Sequence, residues 1–541
     1  MAPLSIATTK KPDLSALSAE MKRLGGSDEL VALLLGLLES MADQNSQLQF
    51  RLAVALRQLW RPKSEKVSAE QLALFLAKLP PAEAEQAHVE TTLDSAASVG
   101  GAAADDDAKP TRKKPRGKQP FPPNLQRRIE PVPVPEALRR CACGAEKRVI
   151  GHDTQFVWDF EPAVFFLRER QLEKRACKIC EDGVTCAPAP GKPILGARPG
   201  PGLLAQIVTA KFHDACPLYR QSQIYERSGI HLAPSTLGDW CADTADVIEP
   251  VWKFLRTQTL DSYLVSLDDT KLPVLDREDP RGIKRGHIWT YIGDEGRAAF
   301  CEYTPDWSGD APQKVLAESK ARVIQGDGYA GIDAVFTVGP DPPKRAGCMD
   351  HARRRWVVAL ESGDARAAIV VKLMADVYAV EAAARADKLG PDELLERRRA
   401  KSRPIMDRLK RVIADLAVGA LPKSPVGKAT TYAINQWPTL EVFLDDGRVP
   451  LSNAHVERQQ RRTVLGRKNY LFSGSDDGAR RLAILQTIVV NCNLAKVPMW
   501  QYLRDTLARL ADGWPQSRLA ELTPAAWATA AKKTGEQAKA Q

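Results

Sequence analysis

The chain has 541 residues, more than one hydrophobic core usually serves, so its length predicts two to four domains. Hydrophobic residues make up 44% and charged residues 27%, which excludes a mostly disordered or fibrous protein. Lysine and arginine number 77 against 67 acidic residues. The formal net charge is therefore +10. By itself, this charge is compatible with a polyanionic partner such as nucleic acid, and equally with a protein whose charge only keeps it soluble.

Apolar runs along the chain are short. The longest, residues 31–38, falls well below the roughly 18 to 20 apolar residues of a membrane helix. Residues 1–13 lack the apolar core of a signal peptide. Ten cysteines are too sparse for a disulfide scaffold. We therefore expect a cytoplasmic protein with no membrane partner.

The N-terminal part predicts a flexible arm at residues 1–28, then a coiled coil and a helix at residues 29–80. Apolar residues recur every three and four positions between Glu29 and Trp60. Asn45 occupies a heptad a position, where a single asparagine favours a parallel dimer. The pattern thus predicts a homodimer, although one amphipathic helix lying on the protein's own body has the same periodicity.

Residues 81–135 have the composition of a disordered basic linker, because they contain too few apolar residues to build a core. Six basic side chains lie between residues 109 and 118, interrupted by proline and glycine. Lys113, Lys114 and Arg116 are candidates for contacts with DNA phosphates. A solvated spacer is the alternative interpretation.

Two cysteine pairs flank strand-like sequence within residues 136–195 and predict a small finger that resembles a zinc ribbon. The candidate zinc ligands are Cys141, Cys143, Cys177 and Cys180. The first pair has only one intervening residue, so Cys186 and His152 are substitutes for one ligand. Reduced cysteines without metal are the alternative.

Residues 196–260 have a helical pattern. A helix at 218–227, a turn at 228–229 and a second helix from 234 to about 240 are compatible with a DNA-binding helix-turn-helix. Many helical pairs that bind nothing have a similar sequence, so both interpretations stay open.

The pattern changes after residue 260 and predicts an α/β core with an RNase H-like mixed sheet. The expected order is three strands, a helix and a fourth strand, at 262–275, 287–293, 298–304, 311–319 and 321–324. In that topology the first and fourth strands are neighbours. Asp268 in the first strand and Asp327 after the fourth would therefore converge. We assign residues 261–475 to this domain, with a helical insertion at about 364–435, and residues 476–541 to C-terminal helices.

Converging carboxylates suit Mg²⁺, which prefers oxygen ligands. Two such ions about 4 Å apart can promote an in-line phosphoryl displacement. Glu457 is the best third acid, near the start of a helix with its expected cap at Ser452. Asp269 is an alternative to Asp268, because the alternation of the strand does not say which side chain points inward. Among 67 acidic residues, spacing alone does not single out one triad.

Basic side chains follow Glu457 directly in the sequence, and Arg461, Arg467 and Lys468 are candidates for DNA contacts near the acids. Arg353 and Arg354 fit either a DNA phosphate contact or a solvated basic helix face. Cys348 and His351 have the spacing of metal ligands, but a buried cysteine and a structural histidine are the better interpretation.

A series of further motifs runs in order along nearly the whole chain. They are Arg61-Pro62-Lys63-Ser64-Glu65-Lys66, Leu218-Tyr219-Arg220-Gln221, Asp268-Asp269-Thr270, Gln325-Gly326-Asp327-Gly328-Tyr329-Ala330-Gly331, Gly347-Cys348-Met349-Asp350-His351-Ala352-Arg353-Arg354 and Gly466-Arg467-Lys468-Asn469-Tyr470-Leu471-Phe472-Ser473-Gly474-Ser475. Together they resemble the insertion-sequence-66 family of bacterial DDE transposases. Two departures from the family pattern are the short gap of the first cysteine pair and a single Asn453, where the family has paired asparagines.

The resemblance implies that Asp268, Asp327 and Glu457 are the catalytic, metal-binding carboxylates, and it selects Asp268 over Asp269. It further implies two Mg²⁺ or Mn²⁺ ions, binding of terminal inverted repeats and target DNA, and DNA strand cleavage followed by strand transfer. A location at the nucleoid and accessory proteins of the same element fit that activity. Two rival functions are a DNA-binding regulator that does not cut and a nuclease that cuts without joining.

Overall fold

In a computed structural model, the described residues are 191–195, 197 and 199–540, together with Phe165 and two short strands, β1 (Lys174–Ala176) and β2 (Val184–Cys186). β1 and β2 pair antiparallel. The predicted arm, coiled coil and linker, and almost all of the finger, lie outside the described residues and stay predictions. The same holds for Lys113, Lys114, Arg116, Cys141, Cys143, His152, Cys177 and Cys180.

A mixed five-stranded sheet forms the centre of the described chain. Its strands are β3 (Leu264–Leu275), β4 (Ile283–Gly293), β5 (Ala298–Thr304), β6 (Val323–Gln325) and β7 (Lys344–Ala346), in the order β5-β4-β3-β6-β7. β3, β4 and β5 form an antiparallel meander, whereas β6 and β7 run parallel to β3. The predicted neighbourhood of the first and fourth strands is confirmed, and the α/β core is compatible with an RNase H-like fold.

Helices surround this sheet. They are α1 (Pro201–Val208), α2 (Leu218–Glu226), α3 (Pro234–Leu260), α4 (Asp310–Ala317), α5 (Met349–Glu361), α6 (Ala367–Ala386), α7 (Pro391–Arg397), α8 (Arg403–Val418), α9 (Pro425–Leu440), α10 (Ala454–Tyr470), α11 (Asp476–Ala495), α12 (Met499–Ala511) and α13 (Pro524–Ala540). Short π- or 3₁₀-helical stretches lie at Thr209–His213, Asp294–Gly296, Ala330–Phe336, Arg398–Ser402, Val442–Leu444 and Gln516–Leu522. None of the helices described is long and apolar enough to cross a membrane.

Helix α3 is much longer than the sequence predicts, so the expected end near Trp240 is wrong. The helix starts at Pro234 as expected and runs to Leu260. Its buried positions continue past Trp240 at intervals of three and four residues, and this continuous apolar stripe packs against the body of the protein. Trp252 on α3 donates a hydrogen bond to the carbonyl of Cys301 on β5 at 3.0 Å. Helix α3, the second helix of the predicted pair, therefore packs against the sheet and supports it.

Two hydrophobic clusters hold the described core together. One lies between the sheet and α4 and includes Leu267 on β3, Trp289 on β4 and Phe300 on β5. The other lies among the helices between β7 and α10, where a helical insertion is predicted, and reaches the sheet at Leu264 and Val323. The insertion is thus packed onto the sheet by a continuous core.

Helix α11 packs on the edge strand β5. The amide of Asn491 accepts a hydrogen bond from the Ala299 N–H at 3.1 Å and donates to the Ala299 carbonyl at 2.7 Å. Thr487 accepts from the Cys301 N–H at 2.8 Å. These bonds satisfy main-chain groups that an edge strand otherwise exposes for pairing with another chain. Residues after 475 therefore contribute directly to the sheet structure.

Candidate active site

Asp268 and Asp269 point to opposite faces of β3, because side chains alternate along a strand. Thr270 shares the face of Asp268, and its hydroxyl accepts a hydrogen bond from Arg467 of α10 at 3.3 Å. The carboxylate of Asp269 lies 2.5 Å from Nδ1 of His287, which is buried on β4. Asp268 therefore shares the face of the sheet on which α10 lies, an orientation that the sequence left open.

Helix α10 is attached to β3 by two buried amide side chains. Asn453 donates a hydrogen bond to the carbonyl of Leu267 at 3.2 Å, and Gln460 donates to the carbonyl of Asp268 at 2.6 Å. Asn453 and Gln460 lie four residues before and three residues after Glu457, so the three side chains share one helix face. Glu457 is thereby held on the face that meets β3.

The start of α10 differs from the prediction. The expected cap at Ser452 is wrong: the helix begins at Ala454, so the cap position falls on Asn453. The Asn453 side chain does not cap the helix, because its amide bonds β3 instead. The other end of the helix is also fixed, since Ser473 exchanges main-chain hydrogen bonds with Pro273 and Leu275 of β3 at 2.8 and 2.9 Å.

Asp327 lies on the loop that follows β6, next to β3. Its carboxylate accepts a hydrogen bond from the Tyr329 N–H at 3.0 Å, which orders the first turn of the loop. Arg345 of β7 donates to the carbonyls of Asp327 and Tyr329 at 3.2 and 2.8 Å. Gln325, fully buried at the end of β6, bonds Ser266 of β3 at 3.3 Å. The position of Asp327 is therefore set by β3, β6 and β7 together.

The acids interact strongly around Asp268. Burial, followed in order by the negative charges of Glu457, Asp269 and Asp327, together raises the pKa of Asp268 to about 8. A carboxyl group that holds its proton near neutral pH is costly to ionise, and a bound cation would relieve that cost. The sheet thus gathers the three predicted acids into one electrostatic unit centred on Asp268.

Glu457 has a histidine and an arginine of α5 as neighbours. Its carboxylate oxygens lie 3.7 Å from Nε2 of His351 and 3.5 Å from a guanidinium nitrogen of Arg354. Cys348, at the start of the same helix, is buried as predicted, and burial raises the pKa of its thiol to about 12. His351 therefore faces the acidic site, while Cys348 belongs to the core.

The donor set of the site fits a hard divalent cation, since it consists of carboxylate oxygens. In the orientations that the described side chains adopt, no three His, Cys, Asp or Glu residues form a group that could hold a metal ion. Glu457 instead faces His351 and Arg354. The acids thus offer oxygen ligands of the kind a divalent cation prefers, while Glu457 lies against Arg354 and His351.

The predicted DNA-contact residues divide into two groups. Arg461 and Lys468 lie exposed on α10. Arg467 donates hydrogen bonds to Thr270 and to the carbonyl of Lys271, so it ties α10 to β3. Arg353 and Arg354 lie partly buried on α5, and Arg354 is next to Glu457.

Sequence reasoning missed several residues that position the acids, namely Gln325, Arg345 and Gln460, and it assigned no structural role to Asn453. The sequence offers one usable signal, since Asn453, Glu457 and Gln460 recur at the spacing of a single helix face. Arg345 and Gln325 carry no comparable signal, because their partners lie on other strands and loops.

Comparison with known proteins adds a family to this geometry. A family model described as "Transposase IS66 family" matches residues 196–481, more than half of the chain, and these include the sheet, the insertion and α10 with its glutamate. A second model, described as "Transposase C of IS166 homeodomain", matches residues 47–129.

Full-length relatives support the same assignment. The uncharacterized protein y4jD of Sinorhizobium fredii (strain NBRC 101917 / NGR234) is 31% identical over 454 residues, which cover 78% of this chain and 86% of the relative. The uncharacterized protein y4hP of the same organism is 30% identical over 511 residues, which cover 90% of each chain. Because the family model matches more than half of the chain, the chain belongs to the IS66 family of transposases.

Proposed function

We propose that this transposase binds the terminal inverted repeats of a bacterial insertion sequence, cleaves the DNA there and joins the freed ends to target DNA. The observation that carries the proposal is the position of Asp268, half-buried beside Glu457 and Asp327; burial first, and then the charges of the neighbouring acids, raise its pKa to about 8. Three acids that repel one another at one point, from a strand, a helix and a loop, are a costly arrangement unless they serve a cation.

Asp268, Asp327 and Glu457 would hold the divalent ions, Mg²⁺ or Mn²⁺. Bound there, the ions would activate an attacking oxygen and stabilise the leaving oxygen of a phosphodiester. The protein itself contributes by holding the three acids in position. Asn453 and Gln460 fix α10 on β3, and Arg345 fixes the loop of Asp327, so the acids cannot drift apart.

Cationic side chains around the acids have two tasks in this proposal. Arg354 holds Glu457 while no metal is bound, because its charge offsets that of the carboxylate, and His351 lies 3.7 Å from the same carboxylate. Arg461 and Lys468, exposed on α10, are oriented to meet phosphates of the DNA backbone. Arg353 is a further candidate for such a contact.

In this proposal the N-terminal segments provide dimerisation and recognition of the DNA. The coiled coil at residues 29–80 would form the homodimer, and the linker would add phosphate contacts through Lys113, Lys114 and Arg116. Zinc held by Cys141, Cys143, Cys177 and Cys180 would order the finger. A protein that recognises end repeats through these parts would be located at the nucleoid. Accessory proteins of the same element would be further partners.

The test is the product formed from DNA that carries the ends of the element, incubated with full-length protein and Mg²⁺. The proposal predicts nicked ends followed by strand-transfer products. Binding without any cleavage would favour a DNA-binding regulator. Cleavage without joined products would favour a nuclease, and either outcome would contradict the proposal.

A further inference from the structure

An aromatic stack lies beside the acids, and one of its members is turned to solvent. Trp307, on the loop after β5, is 54% exposed. Its ring stacks on Tyr329 with centroids 4.8 Å apart and on His287 with centroids 5.9 Å apart. Tyr329 in turn packs against buried Trp289 at 5.8 Å. More than half of the surface of Trp307 is therefore open to solvent, while Trp289 is buried.

The loop that carries Trp307 is held in place. The Tyr329 hydroxyl donates a hydrogen bond to the carbonyl of Trp307 at 2.7 Å. Thr304 donates to the carbonyl of Asp306 at 2.8 Å, and the Asp306 carboxylate accepts from the Ser308 N–H at 2.9 Å. The backbone of Gly309 approaches that of Gly331 so closely that a Cβ would lie 1.9 Å from the Gly331 oxygen. Trp307 is thus exposed on a braced loop.

The stack is connected to the candidate site through Tyr329, whose N–H donates a hydrogen bond to the Asp327 carboxylate at 3.0 Å. His287 lies 2.5 Å from the carboxylate of Asp269, on the face of β3 opposite to Asp268. A ligand that covers Trp307 would therefore lie beside Tyr329, two residues from Asp327.

The charge around Trp307 restricts the class of ligand. Asp306 on the same loop and Asp310 at the start of α4 are both exposed and repel phosphate groups. A neutral, flat nucleobase has no such penalty, and base stacking on an aromatic ring is tolerant of base identity. Both faces of a base inside a duplex are already covered, so the base must be unpaired or turned out of the helix.

We propose that Trp307 is a stacking site for an unpaired or extruded nucleobase of the DNA strand held at the acids. The inference rests on the proposed function, because it takes DNA as the ligand of this site. Stacking there would hold the strand near its reacting phosphodiester without reading its sequence.

The test is binding of a mixed-sequence, single-stranded oligonucleotide that carries 2-aminopurine, with full-length protein in EDTA and about 0.2 M salt to weaken contacts made by charge alone. Trp307→Ala should weaken single-strand binding by about 5- to 100-fold and remove quenching of 2-aminopurine, while blunt duplex binding changes less than about 2-fold. Trp307→Phe keeps a ring and should stay within about 3-fold of the unsubstituted protein.

Trp514→Ala is the matched control, because it removes a tryptophan that packs between Arg509 and Arg518 on another surface. Equal single-strand binding by Trp307→Ala and the unsubstituted protein would overturn the inference, as would equal losses for single strand and duplex. Since these measurements contain no metal, they are independent of cleavage. Lack of DNA cleavage by the unsubstituted protein would count against the proposed function and not against the stacking site.

Discussion

The side chain of Gln460 donates a hydrogen bond to the main-chain carbonyl of Asp268 at 2.6 Å, which joins the helix of one acid to the strand of another. We expect Gln460→Ala to slow DNA cleavage by about 10- to 100-fold, because small displacements of reacting groups are costly. The free energy of unfolding should fall by about 1 to 3 kcal/mol, since a buried carbonyl loses its donor. Cleavage kinetics and urea denaturation measure the two effects.

Gln459→Ala is the control for that change, since Gln459 is on the same helix and approaches Asn493 at 3.5 Å instead of β3. It should keep normal cleavage. If Gln460→Ala lowered stability and left the cleavage rate unchanged, the hydrogen bond would have no positioning role.

The raised pKa of Asp268 predicts a pH-dependent stability in the absence of metal. Between about pH 4 and pH 8 the unfolded chain releases this proton while the folded protein retains it. Folding stability should therefore fall with rising pH across that window, by at most about 1.4 kcal/mol per pH unit. Asp268→Asn should be more stable than the unsubstituted protein at pH 8 in EDTA, and the difference should shrink towards pH 4.

Thermal denaturation at several pH values measures this difference. Added Mg²⁺ should raise the melting temperature of the unsubstituted protein and have little effect on Asp268→Asn. Asp269→Asn leaves Asp268 in place and should keep most of the pH dependence. If the stability of the Asp268→Asn variant depended on pH in the same way as that of the unsubstituted protein, the pKa of Asp268 would not be raised by burial and by the neighbouring acids.

The distance of 3.5 Å between Arg354 and Glu457 predicts competition between the guanidinium and a metal ion. Removing one positive charge should strengthen cation binding, so Arg354→Gln should lower the Mg²⁺ concentration for half-maximal cleavage by about 3- to 10-fold. Titration of cleavage with Mg²⁺ measures the shift. Arg366→Gln removes a charge that is paired with Asp364 and should cause no shift. A higher Mg²⁺ requirement for Arg354→Gln would contradict the interpretation.

Arg398 anchors the helical insertion from inside the core. It is 1% exposed, forms a bidentate pair with Glu381 and donates to the carbonyls of Phe443, Asp446 and Val449. Arg398→Met should lower the free energy of unfolding by about 3 to 5 kcal/mol, because Glu381 and the carbonyls lose their partner. Its exposed neighbour Arg399 pairs with Glu396, and Arg399→Ala should cost less than about 0.5 kcal/mol. Equal losses in urea denaturation would contradict this role.

The sheet could be predicted from the sequence because its signals are local. Strand β5 has the predicted bounds, and Asp268 on β3 and Asp327 just after the neighbouring β6 lie where the predicted order placed them. The choice between Asp268 and Asp269 could not be made from alternation alone. It depends on which face of β3 meets α10, a contact between residues nearly 190 positions apart.

The remaining features depend on long-range packing. The length of α3 follows from its burial against the sheet, as the 3.0 Å bond of Trp252 to Cys301 illustrates. The exposure of Trp307 could not be predicted, because tryptophan side chains are highly buried on average. Its position follows from Tyr329, which is 22 residues away in the chain.

The most direct test of the central claim is the single-turnover rate of DNA cleavage, with DNA carrying the ends of the element and Mg²⁺, for Asp268→Asn, Asp327→Asn and Glu457→Gln. The account predicts that each variant loses at least about 100-fold in rate while it binds DNA normally in EDTA. Asp269→Asn, changed on the opposite face of β3, should lose less than about 5-fold. Cleavage that survives any one of the three substitutions unchanged would contradict the assignment of the metal-binding acids.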